Sequence, residues 1–223
     1  SELVFDIPKN ALGKNESAIL NIIAANNWER PIYFTSYYTE LGFGEYLRAD
    51  GLSYRLVPVK GDDVNTQKAY ETMMNKFKFG NANIPGVYFD EENRRHLNGL
   101  RMQFAQVAND LVTKGYKKEA LELLEKGDKN MLQQNFPYAM PSRRQQQNSI
   151  SAQYLFAAYK AGDTLLAKKI SDALRKDLQQ QVMYFNALDA NKQISLEYDN
   201  QIVLQLLQQI DGMEQYFLHP ETL

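Results

Sequence analysis

The side chains that could do chemistry are few, and most of them also suit a plainer role. Carboxylates pair at Asp62-Asp63 and run as Asp90-Glu91-Glu92. Paired carboxylates flanking a glycosidic bond hydrolyse or transfer sugars, so Asp62, Asp63, Asp90 and Glu91 are the candidates for a small sugar-acting enzyme. Both groups precede helical sequence, however, where negative charge is favoured at the helix N-terminus, and capping is the preferred reading. His96 and His219 have no second histidine at ligand spacing and read as surface residues. Gly42-Phe43-Gly44 supplies two glycines of a phosphate loop, but Leu47 stands where a third would be needed and no lysine follows, so a tight turn is expected. A serine nucleophile elbow is missing, and zero cysteines exclude disulfides, thiolate zinc sites and cysteine nucleophiles. The residues therefore assign no catalytic, cofactor-binding or metal site, and the chain reads as non-enzymatic.

Aromatic density is the remaining signal. Tyr33, Phe34, Tyr37, Tyr38, Phe43, Tyr46 and Tyr54 crowd into one short region. Such a cluster can stack on sugar faces or anchor a partner, and it can equally form the core of a small sheet. The core reading is favoured, with one or two tyrosines left exposed. The groove beside Tyr37, Tyr38, Tyr46 and Arg55 is the candidate binding surface.

These residues need elements to hold them. Leu3 to Lys9 reads as extended and ends at Pro8. Ile19, Leu20, Ile22 and Ile23 then recur at helical spacing over residues 16–26, with Asn15 as the expected N-cap. Asn26-Asn27 stops that helix, and Pro31 drives Arg30 out of the helical region. Ile32 to Tyr38 and Leu52 to Val59 are strand candidates separated by a short helix, Glu45 to Ala49. The strands are expected to pair under the first helix, with their direction left open. A further helix spans about 65–78, and the Gly80 to Gly86 loop separates an α/β part, residues 1–90, from a helical part, residues 91–223.

Five helices are expected in the second part, at about 91–114, 117–126, 146–161, 164–187 and 193–217. Their inward stripes are Leu97, Leu100, Phe104, Val107 and Leu111; then Ala120, Leu121 and Leu124; then Leu166, Ile170, Leu174, Leu178 and Val182. The last is Tyr198, Ile202, Leu206, Ile210, Met213 and Phe217. The spacing Leu111-Gly115-Ala120 recurs as Ala158-Gly162-Ala167, a glycine stop followed by a small residue that lets the next helix approach. This is the pattern of tetratricopeptide-like hairpins, with Pro137–Pro141 inserted between the copies. The fold class is mainly α with a small sheet (α+β).

Composition narrows the classes further. Hydrophobic residues at 44% and charged residues at 23% suit a folded globular chain of 223 residues. A net charge of −2 with scattered lysine and arginine argues against nucleic acid as a partner. No stretch approaches the ~20 apolar residues of a membrane span. The chain opens at Ser1, so it is expected to be processed or part of something longer.

Asn27-Trp28-Glu29-Arg30-Pro31-Ile32-Tyr33-Phe34 resembles a signature in the extramembrane C-terminal region of a bacterial multi-pass membrane family, the domain of unknown function 2723. The similarity continues through Leu41 to Leu47, Asp50 to Val59, Met74 to Asn81 and Val87 to Glu91, and Trp28, Arg30, Pro31 and Tyr33 are its structural signature. The membrane half of that family is similar to lipid-linked-sugar glycosyltransferases, including protein O-mannosyltransferases, and carries their catalytic acid. The resemblance therefore implies a non-catalytic, periplasmic domain without cofactor. Its expected partners are its own membrane-embedded half and a protein or glycan acceptor. The alternative is a free-standing helical-repeat adaptor that holds a peptide in the concave face of residues 91–217.

Overall fold

In the computed structural model, which describes residues 3–61 and 65–219, Glu16 sets the start of the first helix, α1 (Lys14–Asn26). Its carboxylate accepts from the Gly13 backbone N–H at 2.7 Å and also pairs with Lys9. Gly13, extended at φ −77° and ψ 170°, is therefore the N-cap, and the expected cap Asn15 lies inside the first turn. The helix ends as expected at Asn26-Asn27. Asn27 and Trp28 both take left-handed backbone, at φ 43° and 62°, and the Asn26 side-chain amide donates to the Arg30 carbonyl at 2.7 Å. That hairpin turn delivers Pro31 and the first strand.

Three short strands follow: β1 (Tyr33–Phe34), β2 (Leu47–Ala49) and β3 (Tyr54–Leu56), in the order β1-β3-β2 and all antiparallel. β1 and β3 fall within the expected strands but are shorter. The expected helix over 45–49 is instead a single 3-10 turn, Gly44–Tyr46, running into β2. The physical reason is local: Leu47 and Ala49 are buried while Arg48 between them is not, a period of two. Leu41, Phe43, Tyr46, Leu47 and Leu56 form the core, with Phe5, Ile19, Ile23, Phe34 and Tyr38 packed against it. Gly42 makes the chain reversal possible at φ +87°, where a Cβ would lie 1.9 Å from the Asp6 carbonyl oxygen. α2 (Thr66–Asn75) buries Ala69 and Met73 and completes this unit, Ser1–Asn75. Asp62-Asp63, read as a cap or acid pair, lies outside the described residues.

The second unit, Lys76–Leu223, holds α3 (Glu91–Thr113), α4 (Lys117–Asn130), α5 (Gln146–Ala161), α6 (Thr164–Asn186) and α7 (Ala190–Leu218). Residues 76–90 belong to it: Phe77 and Phe79 set their rings 6.2 and 5.7 Å from Phe104, and Asn135 donates to the carbonyls of Ala82 and Ile84. Asp90, Asp163 and Asp189 accept from the backbone N–H groups of Asn93, Leu166 and Lys192, capping α3, α6 and α7.

The two glycine-stopped hairpins are the same object. Tyr116 N–H returns to Leu111 O and Gly115 N–H to Val112 O; Asp163 N–H returns to Ala158 O and Gly162 N–H to Tyr159 O. These are paired Schellman closures, with Gly115 and Gly162 at φ 86° and 81°. Ala120 and Ala167 are fully buried at the close approaches. α5 packs on α3 and α6, and α7 packs on α5 and α6. The stripe of α3 is buried throughout. Leu123 replaces the half-buried Leu121 on α4, and Val182 is only half-buried on α6. On α7, none of residues 190–202 is buried, so Tyr198 is exposed and Val203, Leu206 and Ile210 make the contact.

Arg101 sits at the centre of this unit, fully buried. Its guanidinium donates to the carbonyls of Phe136 (3.0 Å) and Pro137 (2.9 Å) and to Ser151 Oγ (3.2 Å). It lies over the rings of Phe136 and Tyr138, 4.1 and 4.6 Å from their centroids. Burial pushes its pKa down from 12.5 to about 10.

Two outcomes follow. Arg101→Ala is expected to cost about 3–5 kcal/mol in urea unfolding, because it leaves a cavity and removes a donor from each of two carbonyls, of which Pro137 keeps the Gln147 amide; a loss below about 1 kcal/mol would contradict this placement. The Asp90 carboxyl is held below its ordinary 3.8 by the Asn93 backbone N–H and then the Asn93 side chain. Its capping contribution is thus complete above 3.8 and disappears as pH falls through the lower folded value. The Asn93 amide resonance should move with that lower midpoint, and a midpoint at or above 3.8 would refute the cap.

Candidate binding cleft

The aromatic residues singled out in the sequence do not form one surface. Tyr46 is core, 6% exposed, with its hydroxyl donating to the Val4 carbonyl at 2.7 Å. Tyr38 is half-buried and stacks on Phe34 at 5.9 Å. Tyr37 is 48% exposed; its ring lies 5.3 Å from Tyr54 and its hydroxyl reaches Gly44 O at 3.3 Å. Arg55 lies between Tyr54 and Leu56 on β3, so it points from the opposite face of the sheet, opposite Tyr33 and Arg48. That face is polar: Asp50, 8% exposed, accepts from Tyr33 Oη at 3.2 Å and from Lys68 Nζ at 2.7 Å. Asp50 and its hydrogen bond raise the Lys68 pKa. Trp28 and Tyr33 of the signature stretch are partly exposed, at 36% and 43%, and Arg30 is exposed.

His96 faces solvent and approaches Glu92 at 3.4 Å, and His219 lies exposed just past α7. Among the described residues no group of His, Asp and Glu is placed to hold a metal ion.

A more developed concavity lies in the helical unit, where the sequence reading placed a concave face over residues 91–217 without naming site residues. A cleft of about 690 Å³ opens between the loop preceding α5, the C-terminal end of α6 and the N-terminal half of α7. Ser142 fixes the loop by accepting the Gln147 N–H at 2.9 Å. Arg144 and Gln145 then take successive left-handed conformations at φ 51° and 54°, a strained arrangement for non-glycine residues. A polar network holds them there. Fully buried Asn148 donates to Gln145 Oε1 (2.8 Å) and to Asp177 Oδ2 (2.9 Å), and its own Oδ1 accepts from Met140 N–H (3.0 Å). Gln181 donates to Asp177 at 2.7 Å and accepts from Gln145 at 2.5 Å. Tyr184 from α6 and Tyr198 from α7 stand at the walls, 65% and 64% exposed. The legible signals were the amide-rich run after Pro141 and the basic pair Arg143-Arg144, neither of which marks a concavity by itself.

A smaller groove of about 450 Å³ runs across α3, α5 and α7, lined by Gln106, Asn109, Gln153 and Gln209 with Met102 and Met213. Lys160 closes one end, donating to Asn109 Oδ1 at 2.8 Å and Thr113 Oγ1 at 2.7 Å.

Residues 1–77 match the family described as TMEM260-associated domain 2. This covers the sheet unit, including the whole Asn27 to Phe34 stretch, and is a family of extramembrane domains. No curated protein and no solved structure matches the chain. No helix among the described residues is long and apolar enough to cross a membrane.

Core and surface tyrosines should separate cleanly. Tyr46→Ala is expected to destabilise by about 3–5 kcal/mol and Tyr37→Ala by about 1 kcal/mol, both by thermal or urea unfolding. Equal losses would mean that Tyr37 is as integral to the core as Tyr46.

Proposed function

We propose that this chain is a non-catalytic extramembrane domain of a multi-pass membrane protein that resembles lipid-linked-sugar glycosyltransferases. It sits on the periplasmic side and recognises an acceptor or supports the membrane-embedded half. The observation that carries this reading is the match of residues 1–77 to an extramembrane family with a membrane-protein association. It falls on the stretch, Trp28 to Phe34, that carries the resemblance to the domain of unknown function 2723. The fold is compatible: the stretch builds an edge strand and turn of the small sheet, and the helical unit offers concave faces for a partner.

The test is expression of the entire gene and of a version lacking these residues. Membrane fractionation should recover the intact protein in the inner membrane, and loss of this domain should abolish transfer to acceptor while binding of the lipid-linked donor persists. A gene product recovered without membrane spans, or glycoside turnover by the isolated chain, would overturn the proposal.

A second reading has one observation in its favour. The groove across α3, α5 and α7 presents four amide side chains between two methionines, a lining that suits an extended peptide's main chain. On that reading the chain is a helical-repeat adaptor, and recovery of a soluble partner through this groove would favour it.

A further inference from the structure

We infer that the cleft bounded by the 141–145 loop, α6 and α7 is a binding site for a neutral oligosaccharide. The inference needs only the helical unit and stands whether or not the chain belongs to a membrane enzyme.

The charges on the cleft walls cancel. Arg143 and Arg144 face the mouth from the loop, and Asp177 and Asp199 come from α6 and α7. An anion would meet two carboxylates and a cation two guanidinium groups, whereas a neutral ligand meets neither penalty. The lining also carries flat, two-headed polar groups outside that internal network: Gln180, Asp199 and Asn200 each present paired oxygens, or an oxygen beside an NH2. Such groups match adjacent hydroxyls on a sugar ring, which need a donor and an acceptor side by side. A purely apolar ligand would cover these groups without satisfying them.

The polar wall behind them is fixed before any ligand arrives. Gln145 is 6% exposed and Asn148 fully buried, and the bonds from Asn148 and Gln181 hold Gln145 and Asp177 in one arrangement. Those bonds fall on Asp177 Oδ2, so Oδ1 remains as an acceptor for a ligand hydroxyl. This rigidity lowers the ordering cost of binding. It also explains why two consecutive non-glycine residues keep left-handed backbone beside the cleft. The aromatic component completes the chemistry. Tyr184 and Tyr198 stand on opposite helices with their rings largely in water, and an exposed aromatic face offers an apolar platform for the C–H face of a pyranose. The volume of about 690 Å³ falls in the range of small-molecule sites.

The experiment is saturation-transfer NMR on the complete chain with three neutral trisaccharides as probes: mannotriose, maltotriose and N-acetylchitotriose. At least one should receive saturation at its ring C–H protons. Tyr198→Ala should weaken its binding by about tenfold with thermal unfolding unchanged, since that side chain is exposed. Asn200→Leu, which removes one of these two-headed groups, should weaken it as well. Tyr216→Ala, at the far end of α7 and 62% exposed, should bind as the parent does. Absence of transfer to all three probes at millimolar concentration overturns the inference, as does binding indifferent to Tyr198→Ala. If a set of neutral peptides binds in a Tyr198-dependent way and no saccharide does, the cleft is a peptide site and the saccharide assignment is wrong.

Discussion

A guanidinium buried with no carboxylate bonded to it is the costliest group in the helical unit, and the chain between α4 and α5 is arranged around it. Removing Arg101 from water is unfavourable by several kcal/mol, and the depressed pKa expresses the same cost. Three hydrogen bonds and two ring faces offset it, and all but the Ser151 bond come from residues 136–138. The loop therefore cannot relax independently of α3. Its order propagates forward: Ser151 Oγ donates to the Tyr138 carbonyl at 2.6 Å, Asn148 receives the Met140 N–H, and Ser142 receives the Gln147 N–H. By Gln145 the backbone is committed to the left-handed turn that forms one wall of the cleft. The Tyr138 hydroxyl, held by Asp128 at 2.8 Å, and Lys169 on that same carboxylate tie α4 and α6 to this arrangement. Burial raises the pKa of Tyr138 and Tyr154, so neither adds a negative charge beside Arg101 at neutral pH.

The sheet unit solves a different problem. It has little sheet to work with, and its stability comes from aromatic packing on one face together with turns that only particular residues allow. Phe43 contacts Phe5, Phe34 and Tyr38 at centroid distances of 5.5, 5.4 and 6.0 Å. The two ends of this cluster are far apart in sequence, joined by the Tyr46 to Val4 hydrogen bond and by the approach of Gly42 to Asp6. The N-terminal extended segment is thus part of the core rather than a tail.

Much of the helical unit was legible because helices advertise themselves. A run such as Leu97, Leu100, Phe104, Val107, Leu111 admits one period, and Gly115 and Gly162 mark stops that only left-handed backbone satisfies. The pairing of β1 with β3 under an N-terminal helix was legible too, from β-branched and aromatic runs, although their antiparallel direction was not. What escaped were features decided by partners distant in sequence. Gly44–Ala49 has ordinary helix formers, yet the strand β3 captures Leu47 and Ala49. Tyr198 sits on the apolar period of α7, yet at that part of the helix the neighbouring elements stand back to form the cleft and leave its ring exposed. Tyr46 could have been surface or core on composition alone, and the carbonyl of Val4 decided it. The cleft was hidden for the same reason, since the 141–145 wall lies well before the other two along the chain and none carries a motif.

The two glycine-stopped hairpins have identical closures although their spacing is lengthened by the stretch that contains Pro137 and Pro141. The stack of helices therefore ignores the length of that stretch, provided one end stays clasped to α3 and the other starts α5. This separates two kinds of freedom in one molecule. The scaffold is bound to its helical periodicity, while the connecting segment follows no period and is held at a few points, the carbonyls of Phe136 and Pro137, the Met140 N–H and Ser142 Oγ. Because that segment is also a wall of the cleft, what the cleft accepts is open to remodelling by exchanging a single loop, much as a lock is rekeyed without replacing the door.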